Sequence, residues 1–400
     1  MTVCGIVAEY NPFHAGHLFH IAETRRHLGA QTAVVCAMSG GYVQRGDLAV
    51  ADKYARAEMA VRCGADLVVE TPPAACLSSA EGFARGAVAL LEALGCVSHL
   101  SFGAEDADLA LLRRAAALAR VDADTLRRGL AAGLSYAAAV QQAVGAQDAA
   151  AGAVLSTPNN TLGVQYLAAL DALGSNMQPL AVPRRGGAHD SDVPVDGLPS
   201  ASYLRRRIRA GEWEACRAFM PEAAFAVLAR EVRAGAAPVV REALDTALLS
   251  HLRRLDADAL TPYCGGDAGL ASRLAAAVRE GTDCAAVCAA AQTRRYPLAR
   301  VRRVLWRAWL GLPQETPVEP AYVRVLAVGA RGRTLLRHMK QHCALPVIVK
   351  PVTERALPQA LQPALAWDAL ADDLYDLASP DPARRVGGGH FRRTPFVLPE

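Results

Sequence analysis

The stretch VCGIVAEYNPFHAGHLFH (residues 3–20) passes from a short apolar run into a histidine-rich segment. The run Val3–Ala8 predicts a buried β-strand, and His17–Leu28 predicts the helix that follows it. The same alternation continues with strands predicted at 32–38, 65–70, 97–102 and 178–183 and helices at 53–63 and 79–94. This β-α-β-α order favours an α/β fold with a parallel sheet and helical crossovers. Ligands of such sheets bind at the carboxyl ends of the strands.

His14 and His17 follow the first predicted strand and lie on one side of a helical turn. Gly16 between them lets a phosphate approach the backbone closely. The helix N-terminus adds free N–H groups and the positive end of the helix dipole. Imidazole donors there can hold an α-phosphate while negative charge develops during displacement. A metal pair and a pair of capping histidines remain alternatives, although no third metal ligand has an obvious spacing.

The sequence pattern of the second half of the chain is mainly helical. Residues 200–312 are mostly helical in pattern, and 321–328, a helix from about 331 and 346–350 predict a small α/β piece. We therefore expect a Rossmann-like domain over 1–200, followed by a mainly helical region with a small C-terminal α/β part over 201–400.

Composition excludes several classes of protein. Of 400 residues, 52% are hydrophobic and 20% charged, which excludes a disordered chain. No apolar run of about 18 residues lacks charges, so we expect no membrane span. The N-terminus shows no signal-peptide pattern, and ten cysteines then predict reduced thiols in a cytoplasmic protein. Cys284 and Cys288 lie one helical turn apart without further ligands, which favours core packing over zinc.

The net charge of +4 conceals an asymmetry. Residues 1–200 hold 14 Lys and Arg against 19 Asp and Glu, whereas residues 201–400 hold 29 against 20. The balances of −5 and +9 indicate either a polyanion partner held by the second half or a solvated basic surface.

The stretch GIVAEYNPFHAGHL (5–18) resembles the HxGH signature of a nucleotidyltransferase superfamily and, more narrowly, the bacterial tRNA(Met) cytidine acetate ligases. The resemblance covers nearly the whole chain in order. It continues through MSGGYVQRGDLAVADKYARAEMAVRCGADLVVETP (38–72), LSFGAE (100–105), PNNTLGVQYL (158–167), an Arg-rich loop ending in His189-Asp190, SASYLR (200–205), YPLARVRRVLWRAWLG (296–311) and DLYDLA (373–378).

The resemblance implies an ATP-dependent ligase with two steps. Acetate attacks the α-phosphate of ATP, and the acetyl group of the resulting acetyl-adenylate passes to N4 of the wobble cytidine (position 34) of elongator tRNA(Met). Mg²⁺ is expected with the ATP phosphates. Two alternatives remain. A small-molecule adenylyltransferase of the same superfamily would not need a basic helical half, and a non-catalytic RNA-binding protein would not need His14, Gly16 and His17.

The resemblance also implies site residues. His14 and His17 would be catalytic, and Asn159, with Asn160 as neighbour, would bind ATP or cap a helix. Gly103 would make room for the nucleotide or serve as a turn. An arginine before His189 would also contact ATP, and we favour Arg185 over Arg184. The full ATP-binding prediction comprises Val7, Ala8, Glu9, Tyr10, Asn11, Pro12, Phe13, His14, Ala15, Gly16, His17, Leu18, Phe19, His20, Gly103, Asn159 and Arg185.

Two basic clusters fit a tRNA partner. Ser200-Ala201-Ser202 with Arg205 resembles the second signature of the superfamily, a helix start that holds the outer phosphates. Arg205, Arg206, Arg302 and Arg303 are predicted to bind tRNA phosphates. The neighbouring tryptophans are assigned to the core. Lys53, the one lysine of residues 1–200, is either a point-charge contact to phosphate or carboxylate or a solvated surface residue.

Overall fold

A mainly parallel sheet is the centre of the computed structural model, which describes residues 1–184, 199–350 and 358–399. The strands are β1 (Val3–Ala8), β2 (Ala33–Ser39), β3 (Tyr42–Val43), β4 (Asp47–Leu48), β5 (Leu67–Thr71), β6 (His99–Ala104), β7 (Gln178–Pro183), β8 (Val323–Val328), β9 (Val347–Ile348) and β10 (Phe396–Val397). The five strands predicted from the first half are confirmed within two residues, and they pair in parallel in the order β5-β2-β1-β6-β7.

Helices cover the sheet and build the second half of the chain. In order they are α1 (Ala15–Leu28), α2 (Lys53–Arg62), α3 (Pro73–Cys76), α4 (Ala80–Ala93), α5 (Leu109–Leu118), α6 (Ala123–Ala131), α7 (Tyr136–Gln147), α8 (Ala149–Val154), α9 (Pro158–Ala172), α10 (Ala201–Arg209), α11 (Glu222–Arg233), α12 (Asp245–Leu252), α13 (Ala257–Leu260), α14 (Ala268–Glu280), α15 (Cys284–Ala291), α16 (Leu298–Trp309), α17 (Gly332–His342) and α18 (Gln362–Asp376). Within the described ranges, none of these helices has the length and apolar character needed to cross a bilayer.

The order of the strands creates a crevice at the carboxyl end of the sheet. From β1 the chain adds β2 and β5 on one side and then crosses to place β6 and β7 on the other side. Ligands of open α/β sheets bind where the strand order reverses in this way. The turn after β1, which carries the histidine pair, and the end of β6, which carries Gly103, therefore meet at this crevice; Gly103 lies within β6, so its alternative role as a turn residue is wrong.

The C-terminal strands differ from the sequence-based expectation of a separate small α/β piece. β8 pairs antiparallel with β5, and β9 and β10 pair with β8, so all three strands extend the first sheet. Every residue of β8 is buried, which covers the edge that β5 would otherwise expose. The division at residue 200 stays a prediction about which part holds ATP and which part holds tRNA.

The tryptophans of α16 and the thiols Cys284 and Cys288 pack in the core of the second half, as expected, although Trp309 is only partly buried. Trp306 is buried in α16, and its Nε1 donates to the carbonyl of Gly46 at 3.1 Å. Cys284 and Cys288 pack in the same apolar cluster, and all ten cysteines are free thiols.

Lys53 is a buried ion-pair residue, so the solvated-surface alternative is wrong. Its Nζ lies 2.7 Å from both Glu70 carboxylate oxygens and 2.7 Å from Asp372 Oδ2, which joins the end of β5 to α18. Asp372 Oδ2 also lies 2.8 Å from His390 Nδ1. Burial alone would lower the pKa of Lys53, but Asp372 and Glu70 outweigh burial and raise it.

We predict that Lys53→Met lowers the free energy of unfolding by about 3–5 kcal/mol, because it leaves two buried carboxylates without their cation. Urea denaturation at neutral pH measures this change. Arg26→Met removes an exposed ion pair with Glu23 and should have little effect. Equal midpoints for the two variants would contradict the assignment of Lys53 as a structural anchor.

Candidate active site

A cleft of about 660 Å³ occupies the crevice at the carboxyl end of the sheet. This volume lies within the range of small-molecule sites in proteins. The turn after β1 and the start of α1 form its floor. The end of β6 and the start of α9 form one wall, and the β3–β4 hairpin, the start of α10 and one face of α16 form the other.

The two histidines of the floor are held by reciprocal capping of α1. His14 is the N-cap, and its Nδ1 accepts the Gly16 N–H at 3.0 Å, while His17 Nδ1 accepts the His14 N–H at 3.2 Å. A backbone N–H can only donate, so both Nδ1 atoms lack hydrogen, and in a neutral ring the hydrogen then lies on Nε2. The capping alternative is therefore confirmed, and capping itself prepares two Nε2–H donors.

Packing keeps the two rings close, and burial favours the uncharged form of His17. The rings of His14 and His17 stack with centroids 3.8 Å apart. Burial lowers the pKa of His17 well below its ordinary value, and His14, Arg184 and His20 lower it further. A Cβ at Gly16 would lie 2.9 Å from His14 Cε1, so glycine is what lets the His14 ring fold over the helix start.

A third histidine, His20, lines the cleft, and its hydrogen bond to Ser101 fixes which ring nitrogen carries the hydrogen. Thr24 Oγ1 donates to the carbonyl of His20 at 2.9 Å, so the Ser101 hydroxyl must donate to Thr24 across their 2.9 Å contact. Ser101 Oγ can then only accept from His20 Nε2, which lies 2.8 Å away. His20 therefore carries its hydrogen on Nε2. Burial lowers the pKa of His20 to about 4, with a smaller contribution from Arg184.

The β6 wall brings together two of the predicted ATP-binding positions, Gly103 and Asn159, and Arg184, the alternative to Arg185. Arg184 Nη1 donates to Asn159 Oδ1 at 3.0 Å, and a Cβ at Gly103 would lie 3.2 Å from Arg184 Cγ. All three residues line the cleft. The N-cap of α9 is Thr157, so the capping role considered for Asn159 is wrong. Arg185 lies outside the described residues, and the ATP contact predicted for it stays a prediction.

Glu105 anchors this wall and was not singled out from the sequence. Its Oε2 accepts the Asn160 N–H at 2.9 Å, and its Oε1 accepts the amide of Asn159. Burial would raise the pKa of Glu105, but these hydrogen bonds outweigh it and lower the pKa. Asn160 is buried, and its Oδ1 accepts the Asp106 N–H at 3.1 Å. The position of Glu105 directly after β6 was the signal available in the sequence.

The opposite wall carries the start of α10. Ser200 is the N-cap, its Oγ accepting the Tyr203 N–H at 3.1 Å. Arg205 donates from Nη2 to Ser202 Oγ at 3.0 Å and from Nη1 to the carbonyl of Asn11 at 2.9 Å. The helix start and its arginine therefore face the cleft rather than solvent.

The β3–β4 hairpin and α16 complete that wall. Arg303 Nη1 donates to the carbonyl of Gln44 at 3.1 Å, and burial lowers the pKa of Arg303 to about 10. Arg302 and Arg303 both line the cleft, whereas Arg206 is exposed and is not among its lining residues. Among the residues that the structure describes, the lining holds more guanidinium groups than carboxylates, which suits a polyanion. These groups are Arg45, Arg184, Arg205, Arg302 and Arg303 against Glu9 and Asp47.

The predicted ATP-binding segment divides between cleft and core. Its cleft-lining members are Val7, Ala8, Glu9, Tyr10, Asn11, His14, Gly16, His17, Phe19 and His20. Phe13 is fully buried beneath them, and Leu18 is exposed. Pro12 and Ala15 are likewise outside the lining.

This fold, with paired histidines at the first helix, defines a nucleotidyl transferase, and the model of the family HIGH Nucleotidyl Transferase matches residues 1–388. The tRNA(Met) cytidine acetate ligase of Acetivibrio thermocellus is 31% identical over 416 residues, covering 100% of both chains. That of Syntrophotalea carbinolica is 38% identical over 365 residues, covering 87% of this chain and 84% of the relative. The chain therefore belongs to this nucleotidyl transferase family and, within it, to the tRNA(Met) cytidine acetate ligases.

Two solved structures show the same fold over their full length. The apo crystal structure of Thermotoga maritima TmcAL is 29% identical and superposes with a TM-score of 0.92. The structure of the same protein bound with alpha-thio ATP is 30% identical, with a TM-score of 0.91. Each comparison covers 100% of both chains.

We predict that His20 stays neutral, with hydrogen on Nε2, down to about pH 4. The folded state then binds fewer protons than the unfolded state below about pH 6.5. The contribution of His20 to the stability of the fold is therefore complete above pH 6.5 and is lost as the pH falls towards 4. A ¹⁵N NMR titration of the imidazoles, assigned with His20→Gln, measures both properties. Titration near pH 6.5, or hydrogen on Nδ1, would contradict the Ser101 contact.

Proposed function

We propose that this chain is an ATP-dependent ligase that acetylates N4 of the wobble cytidine (position 34) of elongator tRNA(Met) to give N4-acetylcytidine. The observation that carries the proposal is the pair of neutral, Nε2-protonated histidines at the start of α1, which line the cleft. The two relatives support the choice of substrates, because both are named tRNA(Met) cytidine acetate ligase.

In the first step, a carboxylate oxygen of acetate attacks the α-phosphorus of ATP. A phosphorus–oxygen bond forms, the bond to pyrophosphate breaks, and acetyl-adenylate remains. Negative charge grows on the non-bridging α-phosphate oxygens, where the Nε2–H groups of His14 and His17 can donate hydrogen bonds. A neutral imidazole serves here as a fixed donor and needs no proton transfer.

In the second step, the N4 amino group attacks the acetyl carbon. A nitrogen–carbon bond forms, the carbon–oxygen bond to AMP breaks, and N4 releases one proton. The mixed anhydride that the first step makes is consumed here, so the cleavage of ATP supplies the driving force for both steps.

ATP is proposed to lie against the β6 wall. The Arg184 guanidinium, held by Asn159, provides fixed N–H donors for phosphate oxygens. Magnesium would enter bound to the ATP phosphates, because Mg²⁺ keeps several of its waters and binds through substrate phosphates more readily than through an all-protein set of ligands.

The tRNA is proposed to approach from the opposite wall, where Arg205, Arg302 and Arg303 line the cleft and Arg206 stands exposed beside it. Cations at such positions neutralise backbone phosphates. The proposal includes a cytoplasmic location, which accords with ten free cysteines.

Product analysis tests the proposed function. The protein is incubated with ATP, labelled acetate and bulk tRNA, and the tRNA is digested to nucleosides. We expect label in N4-acetylcytidine of elongator tRNA(Met) and about 100-fold slower acetate-dependent pyrophosphate release by His17→Ala. Adenylylation of a small molecule without labelled tRNA would favour the superfamily alternative. Binding of tRNA without pyrophosphate release would favour a non-catalytic RNA-binding protein.

We predict that Arg184→Lys raises the KM for ATP about tenfold or more. Lysine loses the planar fork that bonds Asn159 and phosphate together, and a hydrogen bond to a charged group contributes about 1.5–3 kcal/mol. Initial rates at varied ATP measure the effect. The matched control is Arg113→Lys on the exposed face of α5, which should match the wild type. A larger effect of Arg185→Lys would move the assignment to Arg185.

A further inference from the structure

Asn11 is one of the residues that line the cleft, and its side chain carries a buried donor without a partner among the described residues. The residue is only 2% exposed, and its Oδ1 accepts the Val50 N–H at 2.8 Å. That bond fixes the amide orientation, because a backbone N–H needs the oxygen and not the nitrogen opposite it. The Nδ2 group is buried and has no hydrogen-bond partner among the residues that the structure describes.

Such a donor is costly to the fold. A buried N–H group without a partner destabilises a protein by about 1–3 kcal/mol, and native structures contain few of them. Asn11 lines the cleft three residues before the N-cap His14. A ligand oxygen bound in the cleft would satisfy the group.

The groups around Asn11 indicate that the ligand oxygen is anionic. An amide NH₂ can only donate, so its partner must be an acceptor. The guanidinium of Arg205 lies against the same residue, donating to the Asn11 carbonyl at 2.9 Å. A neutral donor beside a cation suits an anionic oxygen, and the two anions of the proposed reaction are the carboxylate of acetate and the phosphates of ATP.

The position of Asn11 in the cleft favours the carboxylate of acetate over the phosphates of ATP. Asn11 is tied to Val50 on the β2 side of β1, away from the β6 wall with Gly103 and Arg184. The Glu9 carboxylate lines this side of the cleft too, because its Oε1 accepts the Gln44 N–H at 2.9 Å. A carboxylate there repels a triphosphate more strongly than it repels a monoanion.

We propose that Asn11 Nδ2 binds a carboxylate oxygen of the acyl substrate and holds the substrate beside the α-phosphate for attack. This inference rests on the proposed function and assigns to Asn11 a role different from the ATP contact that the family resemblance implies. The occupant is a small monocarboxylate, of which acetate is the one used in the test.

The test compares Asn11→Asp with the wild type in acetyl transfer to tRNA. Aspartate keeps an oxygen for Val50 and replaces the donor with a negative oxygen. We expect the KM for acetate to rise at least about tenfold while the KM for ATP stays within about twofold. Asn176→Asp, which makes the same charge change at an exposed position, should match the wild type.

Three results would overturn the inference. An increase confined to the KM for ATP would assign Nδ2 to a phosphate, and unchanged constants would leave it without a ligand role. A wild-type protein that uses no acetate would overturn both this inference and the proposed function. Where Asn11→Asp does not fold, Asn11→Ala removes the donor without adding charge and should raise the KM for acetate selectively.

Discussion

Two backbone hydrogen bonds at the start of α1 govern the chemistry of the cleft. The Gly16 N–H donates a hydrogen bond to His14 Nδ1, and the His14 N–H donates one to His17 Nδ1. The helix thereby satisfies donors that every helix N-terminus leaves open, and in the same contacts it fixes the tautomer of both rings. Without them the histidines could rotate or exchange tautomers, and the two Nε2–H donors would lose their common geometry.

A buried arginine holds the loops around this helix start. The guanidinium of Arg56 donates to the carbonyls of Glu9, Ser39, Gly40 and Ala51, which lie at or just after the ends of β1, β2 and β4. Burial lowers the pKa of the Arg56 guanidinium, because it disfavours the charged form. The four carbonyl oxygens accept hydrogen bonds from the guanidinium in place of water. One side chain thus connects the histidine turn to the hairpin, so the floor with Glu9 and His14 and the hairpin wall keep a fixed relation.

The local sequence pattern was sufficient to predict the strands and helices and the histidine pair. Strand and helix periodicity and an i,i+3 spacing depend only on residues that are close in the sequence. The local pattern was not sufficient to predict long-range pairing. The addition of β8 to β5 joins residues more than 250 positions apart, and no local pattern specifies it. The same reason applies to Lys53 with Asp372 and to the free amide of Asn11, since each depends on which distant group arrives beside it. The ATP-binding role of residues 7–20 stays a prediction; most of them line the cleft, but periodicity could not tell that Phe13 faces the core.

The central claim is that the paired histidines serve attack of a carboxylate on the α-phosphorus. Turnover with acetate labelled in both oxygens with ¹⁸O, followed by mass spectrometry of AMP, pyrophosphate and phosphate, tests it most directly. Attack on the α-phosphorus leaves one acetate oxygen in the adenylate, so AMP should carry one ¹⁸O and pyrophosphate none. Unlabelled AMP, with ¹⁸O in phosphate or pyrophosphate instead, would contradict the account, because the reaction would then occur at a phosphate other than the one assigned to His14 and His17.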